Sequence, residues 1–377
     1  MSKTTSSGSP AVAANNSKPA TRIWWSNAIF FVVVHLAAAI GIYFYPPSGV
    51  PRETLVLALV SWQLAELGCL RHRLHHRFTD DPVHDPYAAT RGLLHSHVGW
   101  IFFKPTYEKM ELVDRQDLDN DPVVRFQHKN YIPLALFFGL VLPSLVGILW
   151  GDPVGACVWG GLVARVAVWH CTFLVNSLAH WDGLQPYSDE NTSRGNLLLA
   201  ILTSGEGSHN FHVHRSHAFP HDYRSGPSLT SWDPSKWIIL LLHRLGLITG
   251  LRRAREADMK EALVYMSHKA AHGVPPKEDE DQALSEWTID DAIDHLQSNP
   301  SRCLVSISGY VVDITGYLGE HPGGSMLLRR YSLQLEVGAE RYKWPDATWA
   351  FEGGLNNHSR AATRRMKEFR LARLSNQ

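Results

Sequence analysis

His72-Arg73-Leu74-His75-His76, read as HRLHH, stands where an apolar run, residues 54–70, gives way to charge. With 3.6 residues per turn, positions i, i+3 and i+4 of a helix share one face. A helix here presents three imidazoles together, a donor set suited to iron, copper or zinc, with no thiolate beside it. The plainer alternative is a polar helix end at a membrane surface. What else reaches the same depth decides between them.

Apolar runs set that depth. Residues 23–45 carry no charged side chain and are long enough to cross a bilayer core of about 30 Å. After the turn Pro46-Pro47-Ser48-Gly49, residues 54–70 are marginal in length and carry Glu66. Residues 132–150 and 154–178, joined at Gly151-Asp152-Pro153, read as a helical hairpin. The expected class is mainly α: a four-span transmembrane bundle with a histidine-rich cytosolic cap, followed by a small α+β domain. Arg71, Arg73, Arg77, Arg125 and Lys129 all lie on one side, whereas the short turns hold only Arg52. That bias places both termini and the histidines in the cytosol. Arg165, inside the fourth run, either pairs with a neighbour or lines a substrate path.

Composition narrows the function. The 377 residues have zero formal net charge and a pI near 7.4, which excludes a polyanion such as nucleic acid as the expected partner. Four cysteines without CxxC spacing exclude a disulfide framework and a zinc knuckle. Residues 1–21, rich in Ser, Ala and Asn, read as a disordered tail.

Two further segments bring histidines to the depth of HRLHH. Asn176 and His180 lie four apart at the end of the fourth run, and Gly205-Glu206-Gly207-Ser208-His209-Asn210-Phe211-His212 follows it. Glycine on both sides of Glu206 lets a helix start close to a packed wall. Imidazoles converging from three segments point to a metal centre.

HRLHHRFTDD, DPYAATRGLLHSHVGW, NSLAH and GEGSHNFH, in this order among apolar runs, resemble the membrane acyl-CoA delta-9 (stearoyl-CoA type) desaturases, in the fungal form with a C-terminal cytochrome b5 domain. The resemblance covers residues 23 to the end. It implies a di-iron centre with His72, His75, His76, His180, His209, His212 and His217 as iron ligands and Asn176 close to one iron. It also implies an enzyme of the endoplasmic reticulum membrane that uses O2 to insert a cis double bond into a saturated acyl-CoA. An unactivated C–H bond has no neighbour to stabilise charge, so side-chain acid–base chemistry cannot break it and a metal must activate the oxygen. Trp100 and Phe173 are tunnel walls or ordinary core aromatics. Arg71, Arg125 and Lys129 meet the CoA phosphates or form a solvated basic face.

The rest of the chain divides by composition. Residues 22–251 make the membrane domain, 252–282 a linker and 283–377 a small soluble domain, with strands expected at 304–307 and 310–314. His321-Pro322-Gly323-Gly324 resembles the haem turn of cytochrome b5, and His358 matches its second axial ligand. Two axial imidazoles leave haem b iron no open position, so such a domain passes electrons. The implied source is NADH through cytochrome b5 reductase.

Three features depart from the family. Ahead of HRLHH the family has an HxxxxH box, and about 40 residues that would carry it are absent between Gly68 and Cys69, in keeping with the short second run. Val213-His214-Arg215-Ser216 separates His212 from His217, so His214 is an alternative to His217. Residues 333–344 read as an insertion between the haem histidines. Two other readings follow from these: a membrane-anchored haem protein that carries electrons without desaturating, and a related lipid hydroxylase.

Overall fold

A computed structural model describes residues 22–64, 70–104, 110, 113, 115–218, 232–249, 251, 254–277, 283–321, 324–335, 342–354 and 358–375. The tail, residues 1–21, lies outside them. Helix α1 (Trp25–Phe44) exposes Phe30, Val33, Leu36 and Ile40, as a helix facing lipid does. Helices α4 (Tyr131–Trp150) and α5 (Pro153–His180) form the hairpin, and with α1 they are the three described helices long and apolar enough to cross a membrane. In the run at 54–70 the described helix is α2 (Arg52–Leu64), whose 13 residues reach about 20 Å at 1.5 Å per residue. Residues 65–69 lie outside the described set, and α3 (Leu70–Arg77) carries HRLHH. Among the described residues the count is therefore three candidate spans.

Small residues and one half-buried acid hold the bundle together. Thr54, fully buried on α2, donates to Asp152 Oδ2 at 2.7 Å and accepts from Trp150 Nε1 at 2.9 Å. Asp152 also accepts from Gly155 N at 3.0 Å, so the turn acid that caps α5 ties α2 to the hairpin. Gly151 sits at φ +77°, the left-handed conformation the turn requires. At Gly161 an added Cβ would lie 2.7 Å from the main-chain oxygen of Gly139. Such close backbone approach is how membrane helices pack. Gly161→Ala is expected to cost about 1–3 kcal/mol, read as a lower thermal unfolding midpoint in detergent. Arg165 lies inside the hairpin, with Nη2 3.2 Å from where a Gly139 Cβ would stand.

A chain of imidazoles joins α1 and α5 to the segment after α3. His35 Nε2 lies 3.0 Å from His170 Nε2, His170 Nδ1 3.0 Å from His97 Nε2, and His97 Nδ1 3.0 Å from Ser177 Oγ. After α5 come α6 (His209–Ala218) and α7 (Pro234–Arg244), the latter capped by Asp233, which accepts from Lys236 N at 2.9 Å. Within residues 252–282, α8 (Glu256–His272) occupies 17 positions and ends at Gly273, φ +73°.

The C-terminal domain is a four-stranded sheet with helices. β1 (Ser285–Trp287), β2 (Leu304–Ile307), β3 (Tyr310–Asp313) and β6 (Arg370–Leu374) lie in the order β1-β6-β3-β2, with β1 parallel to β6 and the other pairs antiparallel. The period of two divides its core. Leu304 and Val311 join Ala292 and Leu296 of α9 (Ile289–Ser298) on one face. Val305, Ile307 and Val312 pack with Met366 of α11 (Arg360–Glu368) on the other. In chain order α10 (Ser325–Arg330) falls between these two helices. The insertion expected at 333–344 contributes a two-stranded ladder, β4 (Gln334–Leu335) with β5 (Tyr342–Lys343), outside the main sheet.

Candidate functional site

Three elements bring the histidines of the cap together: α3, the end of α5 and the start of α6. The i, i+4 pair His72 and His76 faces His212, while His75, offset on the same helix, faces His180 and His209. In each triad one nitrogen per residue lies within 4.8 Å of the others, so each can hold a metal ion. His72 Nε2 stands 2.8 Å from His76 Nε2 and 3.3 Å from His212 Nε2, and His180 Nε2 stands 3.1 Å from His209 Nε2. Two nitrogens each about 2 Å from one metal and roughly at right angles lie about 3 Å apart. The triads adjoin, with the His209 and His212 rings 5.8 Å apart and the His72 and His75 rings 6.1 Å apart.

Burial and outer partners sharpen that fit. His75 is 2 % exposed, and its Nε2 is buried without a hydrogen-bond partner among the described residues. Its Nδ1 binds Asp85 Oδ1 at 2.9 Å, which fixes the tautomer and aims Nε2 inward. Burial opposes a charged His75, yet the Asp85 carboxylate, by charge and hydrogen bond, outweighs it and raises the pKa. A cation at Nε2 would take the place of that proton. Burial first, and neighbouring imidazoles second, hold His72 and His209 well below the ordinary value, so they offer lone pairs. His180 Nδ1 lies 2.8 Å from Thr192 Oγ1, which donates to Asp80 Oδ1 at 2.8 Å. Asp80 N donates in turn to Asp85 Oδ2 at 2.9 Å. Asp80, Asp85 and Thr192 had no place in the sequence reading, although the first two stand in the quoted stretches.

The remaining expected residues fall as follows. Asn176 is buried one helical turn before His180 on α5. The side chains of His217, its alternative His214, and Arg71 lie outside the described residues. Trp100 and Phe173 meet edge to face at 5.7 Å, with Tyr87 joining Trp100 to His75 through rings 5.0 and 5.2 Å apart. Arg125 and Lys129 are exposed on a short helix, Pro122–Lys129. Gly205, φ +136°, presses on Asp233, where a Cβ would meet Oδ1 at 2.5 Å, so a helix does start against a packed wall. Asn210 holds α6 to the loop after α5 by donating to the carbonyls of Ser188 and Ser193 at 2.7 and 2.8 Å.

In the C-terminal domain the rings of His321 and His358 lie 6.3 Å apart with planes 25° from parallel. Each Nδ1 faces a main-chain carbonyl, Gly324 O at 3.4 Å and Phe351 O at 2.8 Å, which leaves Nε2 as the ligand atom. With metal–nitrogen bonds of about 2 Å, a metal between two imidazoles sets their centroids about 6 Å apart. Burial first, then the charge of His358, lowers the His321 pKa to about 4. These residues fit a bis-histidine haem.

Both parts of the chain match known proteins. The family model of the cytochrome b5-like heme/steroid binding domain matches residues 290–333. Acyl-CoA desaturase 1 of Saccharomyces cerevisiae is 38 % identical over 303 residues, covering 80 % of this chain and 56 % of that protein. The probable acyl-CoA desaturase of Schizosaccharomyces pombe is 37 % identical over 302 residues, covering 80 % and 59 %. The acyl-CoA Delta(11) desaturase of Trichoplusia ni is 31 % identical over 244 residues, covering 53 % of this chain and 68 % of that protein. The chain belongs to the acyl-CoA desaturase family. It carries a cytochrome b5-like domain at its C-terminal end and spans 56 % and 59 % of the lengths of the two yeast relatives. Its apolar helices mark a membrane protein, and its histidine triads are consistent with a metal site.

Proposed function

We propose that this desaturase inserts a cis double bond at the delta-9 position of a saturated acyl-CoA, using O2 and electrons passed from NADH through a reductase and its own b5 haem. Two adjoining histidine triads at the end of α5, in a chain that also carries a facing histidine pair, are the observation that carries this reading. The triad His72, His76 and His212 would hold one iron, and His75, His180 and His209 the other, with Asn176 beside them. Iron bound there supplies the oxygen activation that no side chain can. The residues do the rest. Asp85 and Thr192 aim their imidazoles, and aromatic groups around Trp100 and Phe173 hold an acyl chain away from water. His321 and His358 hold haem b with no open position. The chain lies in the endoplasmic reticulum membrane, with residues 22–251 in the membrane domain, 283–377 in the haem domain and both termini cytosolic.

The test is direct. Iron- and haem-loaded protein in lipid nanodiscs, given stearoyl-CoA, NADH, cytochrome b5 reductase and O2, is expected to form the oleoyl product. Mass spectrometry reads it as a loss of two hydrogens. A product that gains oxygen would make the enzyme a hydroxylase. No product from loaded protein would leave an electron carrier, a reading favoured by the missing HxxxxH box and the three described nitrogens at each position.

A further inference from the structure

The haem domain is seated on the cap through charged residues that neither site uses. Arg360 follows axial His358 by two positions, at the start of α11. Its main-chain N donates to Glu190 Oε1 at 2.6 Å, and its guanidinium donates to both oxygens of Glu261 on α8, at 2.6 and 3.1 Å. The same guanidinium stacks 3.7 Å over the ring of Tyr265. Arg364 reaches Glu261 at 2.9 Å, Arg255 reaches Glu368 at 3.1 Å, and Lys269 reaches Asp189 at 2.5 Å. A single exposed pair is worth little. Here a bidentate carboxylate is shared by two arginines and one of them is stacked, the arrangement that gives an ion pair geometric hold.

The clamp also sits at a chemically telling place. Glu190 and Thr192 belong to one loop, so the residue that receives Arg360 lies two positions from the residue that receives His180. Asn210 of α6 holds that loop through Ser188 and Ser193. Axial His358 is therefore linked by a short route to the loop that holds His180.

We infer that Arg360 is a positioning residue that clamps the haem domain onto the histidine cap, so that electrons pass from haem to metal within one chain rather than between chains. This rests on the electron relay proposed above. The clamp fixes the distance between the two sites, and because its pairs are partly exposed it loosens with salt.

The experiment uses the full chain, haem- and metal-loaded, in phosphatidylcholine nanodiscs. Haem is first reduced without oxygen, then mixed with O2 and stearoyl-CoA, and its oxidation is followed by absorbance. The wild type is expected to show a first-order rate independent of protein concentration. Arg360→Gln and Glu261→Gln should each slow it about tenfold, without changing the haem spectrum, and the double variant should be no slower than either. Hydrogen exchange across residues 256–272 should quicken in Arg360→Gln. A wild-type rate proportional to protein concentration, an unaltered rate in Arg360→Gln, or unaltered exchange would each overturn the clamp. If exchange responds as expected but wild-type haem is not oxidised faster with substrate and metal present, the relay fails while the dock stands.

Discussion

Replacing His180 with alanine is expected to cost the protein one of the two proposed metal positions, while Asp85→Asn weakens the same position about 10–100-fold. His180 closes the triad with His75 and His209, all three buried, and its Nε2 lies 3.1 Å from His209 Nε2. Removing it leaves two nitrogens on helices α3 and α6, too few to hold a borderline cation against water. Asp85 acts through His75. Its carboxylate is inaccessible and accepts at 2.9 Å from Nδ1, so the asparagine keeps the shape but loses the charge that makes the imidazole a stronger donor. Plasma emission on purified protein should read about one iron per chain in His180→Ala. In Asp85→Asn the second iron should leave under a chelator concentration the wild type withstands. The triad of His72, His76 and His212 should keep its metal in both variants. Equal loss from both positions would mean that the triads act as one unit.

How legible this site was depended on how local its geometry is. HRLHH could be read because helical periodicity alone puts His72, His75 and His76 on one side. Their division into two triads could not, since it follows from where α6 delivers His209 and His212. The roles of Asp80 and Asp85 arise from a turn that no helical periodicity marks. Asp80 sits at φ +67°, and its carboxylate binds Thr192, 112 residues away. No spacing rule reaches that far. The imidazole chain of His35, His170 and His97 was invisible for the same reason: the three lie far apart in sequence, and only packing of α1, α5 and the segment after α3 joins them.

The fold shows the same division. Apolar runs announced α1, α4 and α5, and the turn acid Asp152 announced the hairpin. The second run predicted a span; the helix described there is Arg52–Leu64, anchored at its start by Thr54, and residues 65–69 lie outside the described set. Composition marked residues 252–282 as a linker. Within it the chain folds α8, since Glu256 and Asp258 in the first turn and Lys269 and His272 in the last suit the helix dipole. Glu261 and Tyr265 on that helix then meet Arg360.

Replacing His321 with alanine is expected to remove haem, with content falling to less than about a tenth of the wild type by pyridine haemochrome assay. The facing geometry makes the two histidines interdependent. Rings 6.3 Å apart leave room for one metal bound by both Nε2 atoms, and the partner ring alone offers a single bond. His358→Ala should lose haem as well, although Phe351 O and the stacked Phe351 ring, 4.3 Å away, now position a ligand that is gone. Folding should survive in both. Val305, Ile307, Val312 and Met366 bury the sheet face without using either imidazole. Far-ultraviolet circular dichroism should therefore be unchanged, and iron outside haem should remain at the wild-type level, because the triads lie in another part of the chain. Haem retained in either single variant would show that the two imidazoles do not hold one iron between them, and the electron route proposed here would lose its first step.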